Sequence, residues 1–380
     1  MSTAAELRVA MVDGLTEAGV FTGPGWSEAA GAVPRELFTG SYFRPVPGTA
    51  PTRFRPVRQG EPGWLEGVYT DETLITQLDG RIRPDDVSGE TVQGSPSSSS
   101  TLPSLVLRMW QRLGIEAGHQ VLEVGTGTGY STALGAHRLG DADVTSIEYD
   151  PRVGASAATA LKAAGYAPRL LIGDGLRGDP DGGPYDRLIA TCSVRYIPLP
   201  WLHQVKPGGR ILVTLSGWSY ANALALLEVT GPGEAAGRFL PGGTSFMIAR
   251  PHDRPPRPML TLLPGDERES RIDPAKLDDW TGGWIAQLAA PSAERLGAGP
   301  DQILWDVATG SQARTTRDSR GGWTVVQHGP VRLWDRVEEA VRKWQTLGEP
   351  GQEAFRLTVS AARQRVWLGA DASLGWELPV

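Results

Sequence analysis

From Leu102 onward the apolar residues fall into short runs of two alternating kinds. "PSLVLRMWQRL" (103–113) places them at helical spacing behind a proline suited to a first helical position. "QVLEV" (120–124) is a short apolar strand, followed by a glycine loop and a helix over 130–139. "DVTSIE" (143–148) reads as a strand, and 151–165 as an alanine-rich helix closed by Gly165. Strands follow at "PRLLIG" (168–173), "YDRLIAT" (185–191) and "GRILVTL" (209–215), with a short helix at "LPWLHQV" (199–205). Strands alternating with helices predict a parallel α/β sheet. "ALALLEV" (223–229), "AAGRFL" (235–240) and "SFMIAR" (245–250) predict antiparallel strands finishing it.

The flanks are patterned differently. Residues 4–19 predict an amphipathic helix ending at Gly19, and Ser27 is an N-cap candidate for a second helix before "EAAGAV". "FRPVPGTAPTRFRPVRQGEPGW" (43–64) is rich in Pro, Gly and Arg and predicts a long irregular excursion. "VYTDETLITQLDG" (68–80) holds a strand and a turn. By composition "GSPSSSSTLP" (94–103) is a flexible linker. A Pro-rich break, "RPHDRPPRP" (250–258), marks a boundary. Beyond it "QILWDVA", "GWTVVQHG", "RLTVSA" and "QRVWLGA" read as strands, and 331–348 as a helix with apolar residues at 333, 334, 337, 341 and 344. The expected organisation is three segments: 1–100 with helices and loops, 101–250 with the α/β sheet, and a small α+β domain over 251–380.

Composition narrows the function. A net charge of −6 argues against a general nucleic-acid binder, which needs a basic surface. One cysteine, Cys192, cannot form an internal disulfide. No run of 18 apolar residues is present to span a membrane, and Asp13 and Glu17 interrupt the N-terminal stretch, which predicts no signal peptide. The expected compartment is a reducing cytoplasm. Eight of 13 tryptophans follow residue 250. They sit mostly at apolar positions of predicted elements, where core packing is the first expectation and a peptide-docking face the second. The five histidines (119, 137, 203, 252, 328) show no metal-ligand spacing and no strand-end placement, so a structural role and no metal site are expected. Cys192 is expected to be a small core residue.

The loop "VLEVGTGTGY" (121–130) carries the chemistry. It follows a strand and opens a helix, but its glycines do not fit G-x-G-x-x-G, since Tyr stands at 130. The spacing is E-x-G-x-G-x-G. Glu148 ends the next strand, where a carboxylate can bind ribose hydroxyls, and Asp174 in "GDG" (173–175) can accept from an adenine amino group. Glycines admit a ligand carboxylate close to the backbone, and the helix N-terminus favours its charge. These features point to S-adenosylmethionine, with another nucleoside ligand as the alternative.

"VPRELF", "VLEVGTGTGYSTALGA", "VTSIEYDP", "GDG", "PYDRLIATCSV" and "QVKPGGRILVTL" stand in the order and spacing of the protein-L-isoaspartate O-methyltransferases, which the chain resembles from about residue 33 to 216. The resemblance implies a Rossmann-like class I S-adenosylmethionine-dependent methyltransferase fold. It places the cofactor loop on Glu123, Gly125, Thr126, Gly127, Thr128 and Gly129, the ribose contact on Glu148 with Tyr149 beside it, and the adenine contact on Asp174 and Gly175. Thr191, at the end of the fourth strand, joins this set, and 191–196 would line the substrate cleft at the carboxyl edge of the sheet. The repair enzymes carry Ser-Gln-Pro where this chain has Thr101-Leu102-Pro103. The hydroxyl is kept and an amide is lost, which favours a changed substrate. Ser98, Ser99, Ser100 and Thr101 are thereby expected to be active-site hydroxyls on a flexible cover, against the linker reading.

"VYTDETLIT", the serine run and the tryptophan-bearing C-terminal segment resemble the longer family members that tailor ribosomal peptides beside ATP-grasp ligases or lanthipeptide synthetases. What that resemblance implies is esterification of an aspartate in a modified, macrocyclic precursor peptide, the ester then closing to an aspartimide. Repair of isoaspartyl damage in general proteins is the alternative, and a non-catalytic peptide-binding module a second. A carboxylate is ionised at neutral pH, its pKa being about 4, so methyl transfer to it needs no general base. It needs alignment and exclusion of water. Arg44, Arg53, Arg55 and Arg58 lie in a stretch (41–60) without an acidic residue, readable as a solvated loop or as a contact for an acidic peptide.

Overall fold

The N-terminal hundred residues hold more regular structure than their proline and glycine content predicts. Tyr42–Val46 (β1) and Arg53–Val57 (β2) form an antiparallel hairpin. Leu74–Leu78 (β3), Val92–Gln93 (β4) and Pro96–Ser100 (β5) complete a sheet of order β4-β2-β1-β3-β5. The expected irregular excursion over 43–64 is therefore corrected. Pro45 lies beyond the Phe43–Ile75 pair that joins β1 to β3, and Pro56 lies beyond the Arg53–Gln93 and Phe54–Val92 pairs that join β2 to β4. One side of each strand is unpaired there, so a missing N–H disrupts no ladder. Phe43, Phe54, Leu78 and Val87 bury together beneath the hairpin, with Ile75, Ile82 and Val92 against them.

The serine run is also not a linker. β5 pairs with β3 through Leu74–Ser100, Ile75–Ser99, Gln77–Ser98 and Leu78–Pro96. The turn after β3 uses Asp79 and Gly80, both at positive φ, as the sequence predicts for a turn. The first helix, Ala4–Glu17, is capped by Thr3 and Glu6 in a reciprocal capping box. The second, Trp26–Ala32, starts after Gly25 at φ 80°, so Ser27 lies inside it and does not cap it.

The described residues, 2–256, 258–319 and 321–380 of a computed structural model, divide into two compact units. The first runs to Thr191 and includes His203–Leu212; the second is Cys192–Leu202 with Val213–Val380. In the first, Val121–Val124 (β6), Val144–Glu148 (β7), Arg169–Ile172 (β8), Tyr185–Val194 (β9) and Val205–Leu215 (β10) take the order β10-β9-β6-β7-β8, with β9 and β10 running on into the second unit. β6 is parallel to both β7 and β9, and β7 to β8. The chain thus steps outward from β6 to β8 and restarts on the other side of β6. Open α/β sheets bind ligands at such a reversal, beyond the carboxyl ends of the strands.

In the second unit Ala223–Gly231 (β11) and Glu234–Phe239 (β12) form the expected hairpin. Residues 245–250 are not the expected antiparallel strand. They make a single parallel bridge, with Ser193 N–H donating to Met247 O and Ala249 N–H to Ser193 O, before a proline ends the run. Asp266–Glu269 (β13), Ala293–Ala298 (β14), Asp301–Asp306 (β15), Ser311–Arg317 (β16) and Trp323–His328 (β17) form an antiparallel sheet of order β13-β17-β16-β15-β14. Phe355–Val359 (β18), Gln364–Leu368 (β19) and Asp371–Glu377 (β20) return to pair in series onto β12. The Pro-rich run 250–258 therefore lies inside this unit, apart from Arg257, which is outside the described residues. Trp284, Trp305, Trp334 and Trp344 are core residues, as their apolar positions predict; Trp280 is half exposed. No helix among the described residues is long and apolar enough to cross a membrane.

Candidate functional site

β6 ends at Val124, and the chain turns through Gly125–Gly129 into the helix Tyr130–Leu139. Gly125, Gly127 and Gly129 have φ of 102°, 56° and 89°, a region that L side chains rarely adopt. The N–H groups of Gly125 and Thr126 donate to Ile147 O at 2.8 and 3.2 Å, which ties the loop to β7. A Cβ on Gly127 would find Ser99 O as its nearest neighbour, at 3.5 Å. The loop therefore faces β5, and the absent side chain leaves a cradle between them.

Glu148, at the end of β7, accepts from Gly127 N–H at 2.8 Å with one carboxylate oxygen and from Asp150 N–H at 2.9 Å with the other. Tyr149 and Ile172 are about half exposed, 47% and 53%, and Glu148 pairs with Ile172 across the β7–β8 ladder. Both leave apolar surface exposed at the ends of β7 and β8; the sequence reading included Tyr149 and not Ile172. Asp174 accepts from Leu176 N–H at 3.0 Å, which fixes the turn after β8. Gly175 is required there, since a Cβ would lie 2.5 Å from Val124 Cγ1.

Glu123 is placed differently from its neighbours. It is fully buried, and its Oε2 accepts from Thr132 Oγ1 at 2.5 Å and Ser146 Oγ at 2.8 Å. Burial pushes its pKa up against the donors Ser131, Thr132 and Ser146. Ser146 Oγ also lies 2.7 Å from Thr126 Oγ1. Glu123 and Thr126 thus hold the loop from beneath, whereas Gly127 and Thr128 are half-buried at its open side. Thr191, on β9, donates to Gly125 O at 2.5 Å and Val124 O at 3.2 Å. Its role is to fix the loop's first carbonyls. Thr191→Val should leave thermal stability within about 1 kcal/mol and raise the KM for the nucleoside ligand several-fold, with kcat changed less; calorimetric titration alongside steady-state rates checks both.

The serine strand is pinned, which corrects the expected flexible cover. Ser98 and Ser100 are buried; Ser99 and Thr101 are half-buried. Ser97 Oγ accepts from Gly80 N–H and donates to Gln77 Oε1, and Ser98 Oγ accepts from Thr76. Ser100 Oγ is buried without a partner among the described residues. The hydroxyls of Ser99 and Thr101 take no hydrogen bond among the described residues.

What holds this strand was missed in the sequence. Arg35 of "VPRELF" is fully buried, against the burial that disfavours its charge. Its guanidinium donates to Val68 O (2.7 Å), Thr70 O (2.7 Å), Glu72 O (2.9 Å), Ser100 O (3.3 Å) and Thr101 O (3.2 Å), and lies 5.7 Å from the Tyr130 ring centre. Asp71 and Thr73 of the same loop accept from Ser104 N–H and Leu102 N–H. The only signal in the sequence is an arginine set among Val33, Pro34, Leu37 and Phe38.

His252 Nδ1 accepts from Arg195 N–H, a tie between residues 57 apart, and His119 Nδ1 accepts from Glu116 N–H within one turn. Cys192 is half-buried, not the enclosed core residue expected. No cluster of three metal-ligating side chains is present among the described residues.

The family model described as Protein-L-isoaspartate(D-aspartate) O-methyltransferase (PCMT) matches residues 87–236. A protein-L-isoaspartate O-methyltransferase of Methanopyrus kandleri is 34% identical over 193 residues, 49% of this chain and 84% of the relative. One of Hyperthermus butylicus is 32% identical over 191 residues, 46% of this chain and 79% of the relative. Among solved structures, a protein-L-isoaspartate O-methyltransferase superposes with a TM-score of 0.56 at 19% identity, over 95% of this chain and 99% of the other; at that identity the likeness is one of fold.

Proposed function

The chain belongs to the protein-L-isoaspartate O-methyltransferase family, and on that premise we propose that it transfers a methyl group from S-adenosylmethionine to an aspartyl side-chain carboxylate of a modified ribosomal peptide. The ester then closes to an aspartimide. The observation that carries the reading is the meeting of a glycine cradle and a hydroxyl-bearing strand, Gly127 against Ser99, beside the Glu148 carboxylate.

The residues fit the nucleoside. Glu148 has acceptor capacity for ribose hydroxyls, Tyr149 and Ile172 offer apolar surface to a base, and Asp174 and Gly175 close its edge. When bound, S-adenosylmethionine supplies a methyl group on a sulfonium. The chain's own part is alignment: the peptide carboxylate is already ionised, so a hydroxyl that orients it suffices. Thr101 and Ser99 have free hydroxyls for this, while those of Ser97 and Ser98 are engaged. Thr101→Val should lower kcat about 10- to 100-fold with the nucleoside Kd unchanged, and Ser97→Ala should alter neither.

Leu102 in place of the repair enzymes' amide favours a tailored peptide over general repair. Incubation of a macrocyclised precursor with enzyme and cofactor tests it by mass spectrometry. The expected product has gained one methylene's mass, then lost methanol. Rapid methylation of a synthetic isoaspartyl hexapeptide with no change in the macrocycle would establish repair instead. An ATP-grasp ligase or a lanthipeptide synthetase would supply the substrate.

A further inference from the structure

The β1–β2 register places Arg44 directly opposite Arg55. Residues opposite one another share a face, and like charges in that position are destabilising. Phe43 and Phe54 are buried on the other face, so the hairpin cannot turn the arginines away. Arg44, Arg55 and Arg58 line a cleft of about 530 Å³ between the hairpin and residues 89–91. Glu90 is the single acid in its lining. Arg44 has a distant ion pair with Glu72, at 4.0 Å, and its Nε is buried without a partner. Arg58 is held by Glu61 at 3.5 Å and donates to Val87 O at 2.5 Å. Arg55 is exposed, and its side chain has no hydrogen bond or ion pair among the described residues. Two facing cations, one of them unneutralised, in a concave site are an anion receptor in need of its anion.

The walls narrow the occupant. Pro45, Val46, Pro47 and Pro56 give the cleft rigid apolar sides, suited to an extended chain between them. The net charge of −6 disfavours a nucleic acid. We propose that this cleft docks an acidic segment of the peptide substrate through its carboxylates, away from the aspartate that is methylated. The assignment rests on the peptide-substrate reading above and names a specificity site within it.

A fluorescein-labelled hexaglutamate peptide, titrated against the full chain and followed by anisotropy, probes the cleft without turnover. Binding should be present at low salt and weaken as salt rises. Arg55→Glu should weaken it by at least about tenfold, and Arg55→Lys by much less, with calorimetric S-adenosylmethionine binding unchanged in both. In turnover of a peptide substrate bearing acidic residues, Arg55→Glu should raise KM and spare kcat. Hexaglutamate binding that ignores Arg55→Glu, or displacement by inorganic phosphate at equal charge concentration, overturns the docking site. So does an unchanged KM, while leaving the methyltransferase reading intact. Arg55-dependent binding with no methylation of any aspartyl peptide keeps the cleft and overturns the catalytic reading.

Discussion

Gly127→Val removes S-adenosylmethionine binding: a calorimetric titration that gives a clear isotherm with the native chain gives none with the variant. The backbone at 127 sits at φ 56°, where a β-branched residue is strained by about 1–2 kcal/mol. The Cβ itself would lie 3.5 Å from Ser99 O, an ordinary contact, so the first added carbon fits. The valine methyls extend from there into the gap between loop and strand, which is the space assigned to the ligand. Strain and volume act together on the loop, and the Gly127 N–H that holds the Glu148 carboxylate moves with it. Gly127→Ala separates the two effects. It carries the strain without the methyls and should weaken binding about tenfold, about 1.4 kcal/mol, without abolishing it. The backbone strain should lower the unfolding temperature by a few degrees in both variants, too little to unfold the chain at the temperature of the titration. Normal binding by Gly127→Val would mean that the nucleoside lies elsewhere.

The parts of this fold that are legible in the sequence are those where local pattern and tertiary role agree. β6 to β10 are apolar runs set between amphipathic helices, and the reversal beside β6 follows once they are recognised as a parallel sheet. The parts that are hidden depend on partners distant in sequence. β1 and β2 carry prolines that only their one-sided pairing makes harmless. β5 has no apolar alternation and is a strand because Leu74–Leu78 supplies the ladder. The helix Trp280–Ala289 contains Gly282 and Gly283, which argue against a helix until one sees that a Cβ on the first would meet the Lys276 carbonyl and one on the second would lie 2.7 Å from Leu277 O. In the site the same division holds. Glu148 and the glycines are legible by spacing alone, E-x-G-x-G-x-G after one strand and a carboxylate at the end of the next. Glu123 shares the motif but faces Thr132 and Ser146, and nothing along a wholly buried strand distinguishes its two faces. Arg35 is invisible for a stronger reason: all five of its acceptors are backbone carbonyls, which leave no trace in residue identity.

That arginine gives the second large effect. Arg35→Met should lower the unfolding free energy by about 3–5 kcal/mol, the range for breaking a buried charged network, and the unfolding temperature by roughly 10 °C in a unit of this size. Methionine fills much of the volume but leaves the carbonyls of Val68, Thr70, Glu72, Ser100 and Thr101 without their donor. Val68 ends the helix Trp64–Val68, and Thr70 and Glu72 belong to the loop after it that also accepts from Leu102 N–H and Ser104 N–H, so the strand bearing Ser99 and Thr101 loses its support from two directions. Arg35→Lys is the informative companion. An ammonium has three donors and no fork, so it can hold some of the five carbonyls but not all, and it should recover part of the stability. Below the unfolding transition, Arg35→Lys should bind S-adenosylmethionine nearly as tightly as the native chain, because the glycine loop is anchored on β7 through Ile147 O and not on Arg35. Its methyl transfer should nonetheless fall more than about 100-fold, since a displacement of 1 Å in an aligning group is enough for that. A variant with intact binding and lost turnover would mark Arg35 as the residue that positions the hydroxyl strand. Loss of both in proportion to stability would reduce it to a structural tie.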